Sequence, residues 1–237
     1  MKKLFAIVSL AILVTAQTRA AQPEMDPSHI DVYITPYYNS TGPTVSVGPF
    51  SSGLASKNEE EFLSTIGSMK KVWAKLSFPE LYVAAIRLYD YGYRNEATYW
   101  FYVAQYRGRQ FGMLLDPSKK GDLGDLGFEL LQAQNAFYQL TSPYILGYAF
   151  GDLDGAAKIV EKVQKEERTI PDLRATYPKV AFVDRSEWQA KNTELADGMG
   201  KLIAMLKEQK DDLNKQRLDR GITAKFSKIT NKELTDR

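Results

Sequence analysis

The sequence predicts a mainly α-helical fold, a helical bundle assembled around one helix hairpin, with a small β-hairpin ahead of it. Three observations carry that prediction. The stretch 78–111, FPELYVAAIRLYDYGYRNEATYWFYVAQYRGRQF, is the densest run of aromatics in the chain and reads as two helices folded back on each other. Several later segments repeat apolar residues at three- and four-residue steps, the period of a helix with one buried face. A single short stretch, 30–48, alternates instead at period two.

The first twenty residues read as a cleavable export signal. Lys2 and Lys3 are its positive start, Leu4 to Val14 its apolar centre, and Thr18-Arg19-Ala20 a small-residue cleavage site, with Ala16 as the alternative. The apolar centre is shorter than the roughly 20 residues a membrane span needs. The expected location is therefore the periplasm, with no stable membrane anchor. The whole chain carries a formal charge of +2. Lys2, Lys3 and Arg19 belong to the signal, which has no acid, so the remainder is +2 − 3 = −1. That loss of basic excess argues against a nucleic-acid partner. The absence of cysteine excludes disulfides, thiolate metal ligands, cysteine nucleophiles and lipid attachment at cysteine. The remaining chain, 21–220, is long enough to bury one core without staples and is read as a single domain.

Residues 21–28 are polar with two prolines and are expected to be mobile. Ile30, Val32 and Ile34 then alternate with polar neighbours, Asn39-Ser40-Thr41-Gly42-Pro43 is a turn, and Val45 and Val47 alternate again before Gly48-Pro49. This predicts a two-stranded hairpin, which must pack on the helices to be stable. Ser56-Lys57-Asn58-Glu59 has capping-box spacing and opens a helix whose apolar face is Phe62, Ile66, Met69, Trp73 and Leu76.

In the central hairpin, Pro79 suits the first turn of the first helix and Gly92 its left-handed stop. The second helix is expected from Glu96 to Arg107. Residues 116–127 form a loop whose glycines do not match the dinucleotide fingerprint. A helix follows over 128–140, and Ser142-Pro143 is expected to cap a separate short helix ending at Phe150. Gly151-Asp152-Leu153-Asp154-Gly155 fails the calcium-loop pattern, so Asp152 or Asp154 is read as the cap of a helix over 155–168. That helix carries possible Asp154/Lys158 and Glu161/Lys165 pairs. Pro171 and Pro178 bracket a connector with a short extended piece at 180–183. Trp188, Leu195, Met199, Leu202, Leu206 and Leu213 mark a long helix that ends before Gly221 and lies across the domain's own core. Residues 221–237 are expected to be a flexible tail.

No catalytic motif is present: no Gly-x-Ser-x-Gly elbow, no His-Glu-x-x-His and no P-loop. The lone His29 reads as a surface residue. A carboxylate pair for glycoside hydrolysis leaves no sequence spacing, and Glu80 and Glu96 are the candidates in the aromatic stretch. Both read better as helix-start or ion-pair residues, so the expectation is a non-enzyme with no cofactor and no metal.

Within the hairpin, Ala97, Phe101 and Ala104 fall on one face, with Ala84, Ala85 and Leu88 facing them. With Gly92 they resemble one tetratricopeptide or Sel1-type repeat, although Arg109 stands where such a repeat has its closing proline. The resemblance implies that Tyr82, Ile86 and Tyr89 lie on a partner-binding face, ringed by Tyr91, Tyr93, Arg94, Arg107 and Arg109. Tyrosine and arginine suit that role, since each gives a large contact and directed hydrogen bonds. Together with the export signal, the stretch LYDYGYRNEATYWFYVAQYRGR resembles periplasmic immunity proteins of type VI secretion effectors. This implies a protein partner, a toxin whose active site is occluded. The alternatives are an envelope scaffold or chaperone for an endogenous peptide, and a cell-wall hydrolase.

Overall fold

The computed structural model describes residues 25–30, 47–119 and 124–234 of the 237. Among them the chain forms ten α-helices and four short 3-10 turns. In order these are α1 Ser51–Ala55, α2 Glu59–Lys71, α3 Phe78–Tyr91, α4 Arg94–Leu114, α5 Leu126–Ala149, α6 Leu153–Glu166, α7 Leu173–Thr176, α8 Trp188–Glu208, α9 Lys210–Asp219 and α10 Ile222–Phe226. No strand occurs among the described residues, and most of the predicted β-hairpin, 31–46, lies outside them. The extended piece at 180–183 is real but minimal. Phe182 forms an antiparallel bridge with Leu115, and the Val183 N–H donates to Leu114 O at 2.9 Å.

The α3–α4 hairpin is the centre of the bundle. Ser77 and Glu80 form a capping box at the start of α3, and Gly92 stops the helix with φ of 96°, a conformation that costs a glycine nothing. Ala84, Ala85, Leu88, Ala97, Phe101 and Ala104 are fully buried, so the small residues do bring the two helices together. Helix α5 packs on both α3 and α4, while α6 and α8 pair with each other and lie against α4.

Several boundaries differ from the sequence reading. The cap of α2 is Asn58, which accepts from Glu60 N and Glu61 N, so the box expected at Ser56 is at Ser77 instead. Helix α5 runs unbroken through Pro143. The carbonyl that proline leaves without a donor is that of Gln139, an exposed residue whose backbone water can reach. Asp152 caps α6, accepting from Gly155 N at 2.9 Å. The acids of α6 bond across helices rather than along their own: Asp154 pairs with Lys210 and Glu161 with Lys207. The long C-terminal helix breaks at Gln209 into α8 and α9, and its stripe of Trp188, Leu195, Met199 and Leu206 lies on the core.

The tail is not loose over its described part. Phe226 of α10 is buried against α5, where a Cβ on Gly147 would come within 2.3 Å of its ring. Beyond it, the Lys232 N–H donates to Gly92 O at 2.8 Å and Asn231 Oδ1 accepts from Asn95 N at 2.9 Å. Residues 25–30 are held as firmly. The Tyr89 hydroxyl donates to Pro27 O at 2.7 Å, and the Ile30 N–H donates to Asp90 Oδ1 at 2.9 Å. Both ends of the described chain thus close over the corner of the central hairpin.

Candidate functional site

That closure changes the fate of the residues expected to grip a partner. Tyr82, Ile86 and Tyr89 are 2% exposed or less, and Tyr93, Arg94 and Arg107 are 8% or less. Tyr82 stacks on Phe137 of α5, with ring centroids 5.1 Å apart. The Tyr93 hydroxyl donates to Glu59 at 2.8 Å, and the Arg94 guanidinium lies 4.9 Å above the Tyr89 ring while donating to Ser28 O. Tyr91 is half-buried, stacked on Phe62 and donating to Ser56 O. Only Arg109 of the eight stands in the open, on the rim of a groove with Gly108, Gly112 and Met113. The outward face expected from the repeat resemblance is therefore covered by α5 and by the two terminal segments. The hairpin is core because both of its sides are packed, not one.

Arg107 shows what the arginines do instead. Its fork donates to both oxygens of Glu167 at 2.8 Å, and its remaining amine donates to Trp73 O and Leu76 O. Arginine and carboxylate are 4% and 3% exposed, so the charge is matched inside the protein and ties α4 to the end of α6. A neighbouring polar knot has Asn192 at its centre. Its Oδ1 accepts from Tyr106 and Gln110 while its Nδ2 donates to Arg168 O, joining α8 to α4.

The open chemistry lies on the opposite flank of α4, in a cleft made of two adjoining hollows of about 660 Å³ each. Glu96, Tyr99, Lys162 and Leu234 line both. Glu96 and Tyr99 share a face of α4 at i, i+3, and Lys162 and Glu166 share a face of α6 at i, i+4. Packing α6 on α4 brings the four together. The Tyr99 ring stacks on Trp73 at 5.8 Å, with the Lys162 ammonium 4.3 Å from its centroid, and its hydroxyl donates to Glu166 at 2.7 Å. Burial first, and the Glu166 carboxylate second, push the Tyr99 hydroxyl well above the usual phenol range, so it remains a donor. Glu96 accepts from Trp100 Nε1 and pairs with Lys70 at 2.9 Å.

Glu80, the other expected carboxylate, does not reach this cleft. It accepts from the Ser77 amide and hydroxyl at 2.7 Å. The second hollow is the Trp73 side; the first extends over the end of α5 and the start of α6 to Arg217, Phe226 and Tyr148. Among the described residues no group of three His, Asp or Glu could hold a metal ion, and no helix is long and apolar enough to cross a membrane. His29 bonds to Asp90 at 2.9 Å, beside the Ile30 amide.

The sequence reading missed Trp73 as an open side chain, and it missed Tyr99, Lys162 and Arg217 altogether. The i, i+3 and i, i+4 spacings on two separate helices were the available signal. They become a site only through the α4–α6 contact, which joins residues about 65 positions apart.

Comparisons with known proteins add little about activity. An uncharacterized protein of Haemophilus influenzae is 26% identical over 186 residues, covering 76% of this chain and 68% of that protein. No family model matches the chain, and no solved structure matches it.

Proposed function

We propose that this is a non-enzymatic binding protein of the periplasm, an immunity protein that holds a secreted antibacterial effector and blocks its active site. The export pattern of the first twenty residues and the resemblance of the 88–109 stretch suggest the setting. The observation that carries the binding reading is the Trp73–Tyr99 stack. It is a half-buried aromatic pair at the mouth of a cleft, bordered by Lys70, Lys162 and Glu166. Large aromatic rings surrounded by charged side chains are the chemistry of an interface anchor, with the rings supplying contact area and the rim excluding water. The partner surface is thereby moved from the corner of the hairpin to the flank of α4.

The test is survival under attack by a sister strain. Deleting the gene should make cells sensitive, and the wild-type chain should restore them. A Lys162→Glu chain, shown by a thermal melt to be folded, should fail to do so, because it reverses the exposed charge over the Tyr99 ring. Deletion cells that survive like their parent would overturn the immunity reading.

A further inference from the structure

The first hollow contains a buried positive charge with no negative partner. Arg217 reaches in from α9 and is 8% exposed. One of its amines donates to Gly147 O at 3.0 Å, and the other lies 3.7 Å from where a Cβ on Gly151 would stand. No carboxylate among the described residues lies within ion-pair range of it, and no aromatic ring covers it. A guanidinium has five N–H donors, and this one, which lines the hollow, makes a single hydrogen bond to the described chain. Burial alone lowers its affinity for its proton, with no neighbouring charge in opposition.

We propose that this hollow binds the carboxylate of an organic ligand with an apolar body, and that Arg217 is its anchor. The fork of a guanidinium matches the two oxygens of a carboxylate. A hollow of about 660 Å³ is within the range of small-ligand sites, and Ala149, Ala156, Ile159 and Phe226 offer apolar walls. The charge of the surroundings selects a single negative charge. Lys162 lies exposed over the Tyr99 ring and Lys232 is paired with Glu59 at 2.9 Å, so among the described residues of the lining Arg217 is the one buried cation. Asp152 and Glu233 also line the hollow and would repel a doubly charged phosphate. The inference stands on Arg217 and goes beyond the effector-binding reading, because it requires nothing of Trp73 or of a protein partner.

The experiment titrates N-acetylphenylalanine, its carboxamide and inorganic phosphate into the full chain, followed by calorimetry or ligand-observed NMR. The acid should bind saturably, the carboxamide at least about tenfold more weakly, and phosphate should not displace the acid. Arg217→Gln should bring the acid-to-amide ratio to about one, and Arg217→Lys should leave an intermediate ratio, since an ammonium keeps the charge without the fork. The peptide Gly-Gly-Phe with a free C-terminus supplies the second source of the same group. Tighter binding than the acetylated acid assigns the site to peptide ends, and weaker binding assigns it to free acids. Equal affinity for acid and carboxamide, no saturable acid binding, or displacement by less phosphate than acid would each overturn the proposal. The comparison of acid with amide uses the unaltered protein, so it holds even where a variant fails to fold.

Discussion

Arg107 and Arg217 are both buried, at 4% and 8% exposure, Arg107 on a helix packed against α5 and α6 and Arg217 hydrogen-bonded to α5. Their surroundings are opposite. Arg107 has its charge matched by Glu167 and its last donors taken up by two backbone carbonyls. Arg217 has one carbonyl and an open hollow. Arg94 falls between them, over the Tyr89 ring and with one carbonyl. The lesson is that burial alone does not separate a structural charge from a binding one. A buried charge whose donors are all answered within the chain holds the fold together. One whose donors face an empty, partly apolar space is placed for something that comes from outside.

If that distinction holds, the largest effect belongs to the matched pair. Glu167→Ala would leave the Arg107 guanidinium buried without its counter-charge, and should cost about 3–5 kcal/mol. In a domain of this size that is a fall in melting temperature on the order of 10 °C, measurable by calorimetry. A fall of only a degree or two would show that water reaches Arg107 and that the pair is an ordinary surface bridge. Next comes the support on which Arg217 rests. Gly147→Ala would push a methyl group into the Phe226 ring, and should destabilise by about 1–3 kcal/mol. In a Phe226→Ala background the same change should cost much less, because the clash has gone, and a double-mutant cycle of thermal melts would show the difference.

The hairpin that carries Arg107 was legible from the chain because its signals are local. Gly92 turns left-handed within the residues that end α3, and the alanines of the two helices sit at helical spacing. What covers the hairpin was not legible. Tyr89 and Arg94 look like surface anchors until Pro27 and Ser28 arrive to accept their hydrogen bonds from more than 60 residues away. Gly92 O and Asn95 N are met by Lys232 and Asn231, respectively, from still farther along the chain. Pro143 misled for a related reason. A proline normally ends a helix, but here Gln139 faces water, so the lost hydrogen bond can be replaced and the helix continues. The cleft was invisible for want of the α4–α6 pairing, although each half of it sits at ordinary helical spacing.

Arg217→Met is the sharpest challenge to the contrast between the arginines. It removes a buried charge without leaving a carboxylate behind, and so should change stability by no more than about 1 kcal/mol. That predicts a shift in melting temperature within about 4 °C. A loss as large as that of Glu167→Ala would mean that Arg217 is a structural member after all.

The smallest effect concerns charges that are matched but wet. Lys232 and Glu59 pair at 2.9 Å with side chains 53% and 41% exposed, which limits the pair to less than about 1 kcal/mol. The hydrogen bond from Lys232 first, and that from Tyr93 second, hold the Glu59 carboxyl below the ordinary glutamate range. A depressed carboxylate stabilises the fold above its unfolded pKa and loses that contribution as pH falls through the folded value. The clamp on the C-terminal segment should therefore be intact at neutral pH and weaken only below about pH 4. The Lys232 amide resonance should follow that titration, and Glu59→Gln should abolish it while leaving the melting temperature at pH 7 nearly unchanged. A titration of Lys232 that survives the substitution would place the acid-sensitive contact elsewhere on the hairpin corner, with Asp90 beneath His29 as the group to replace next.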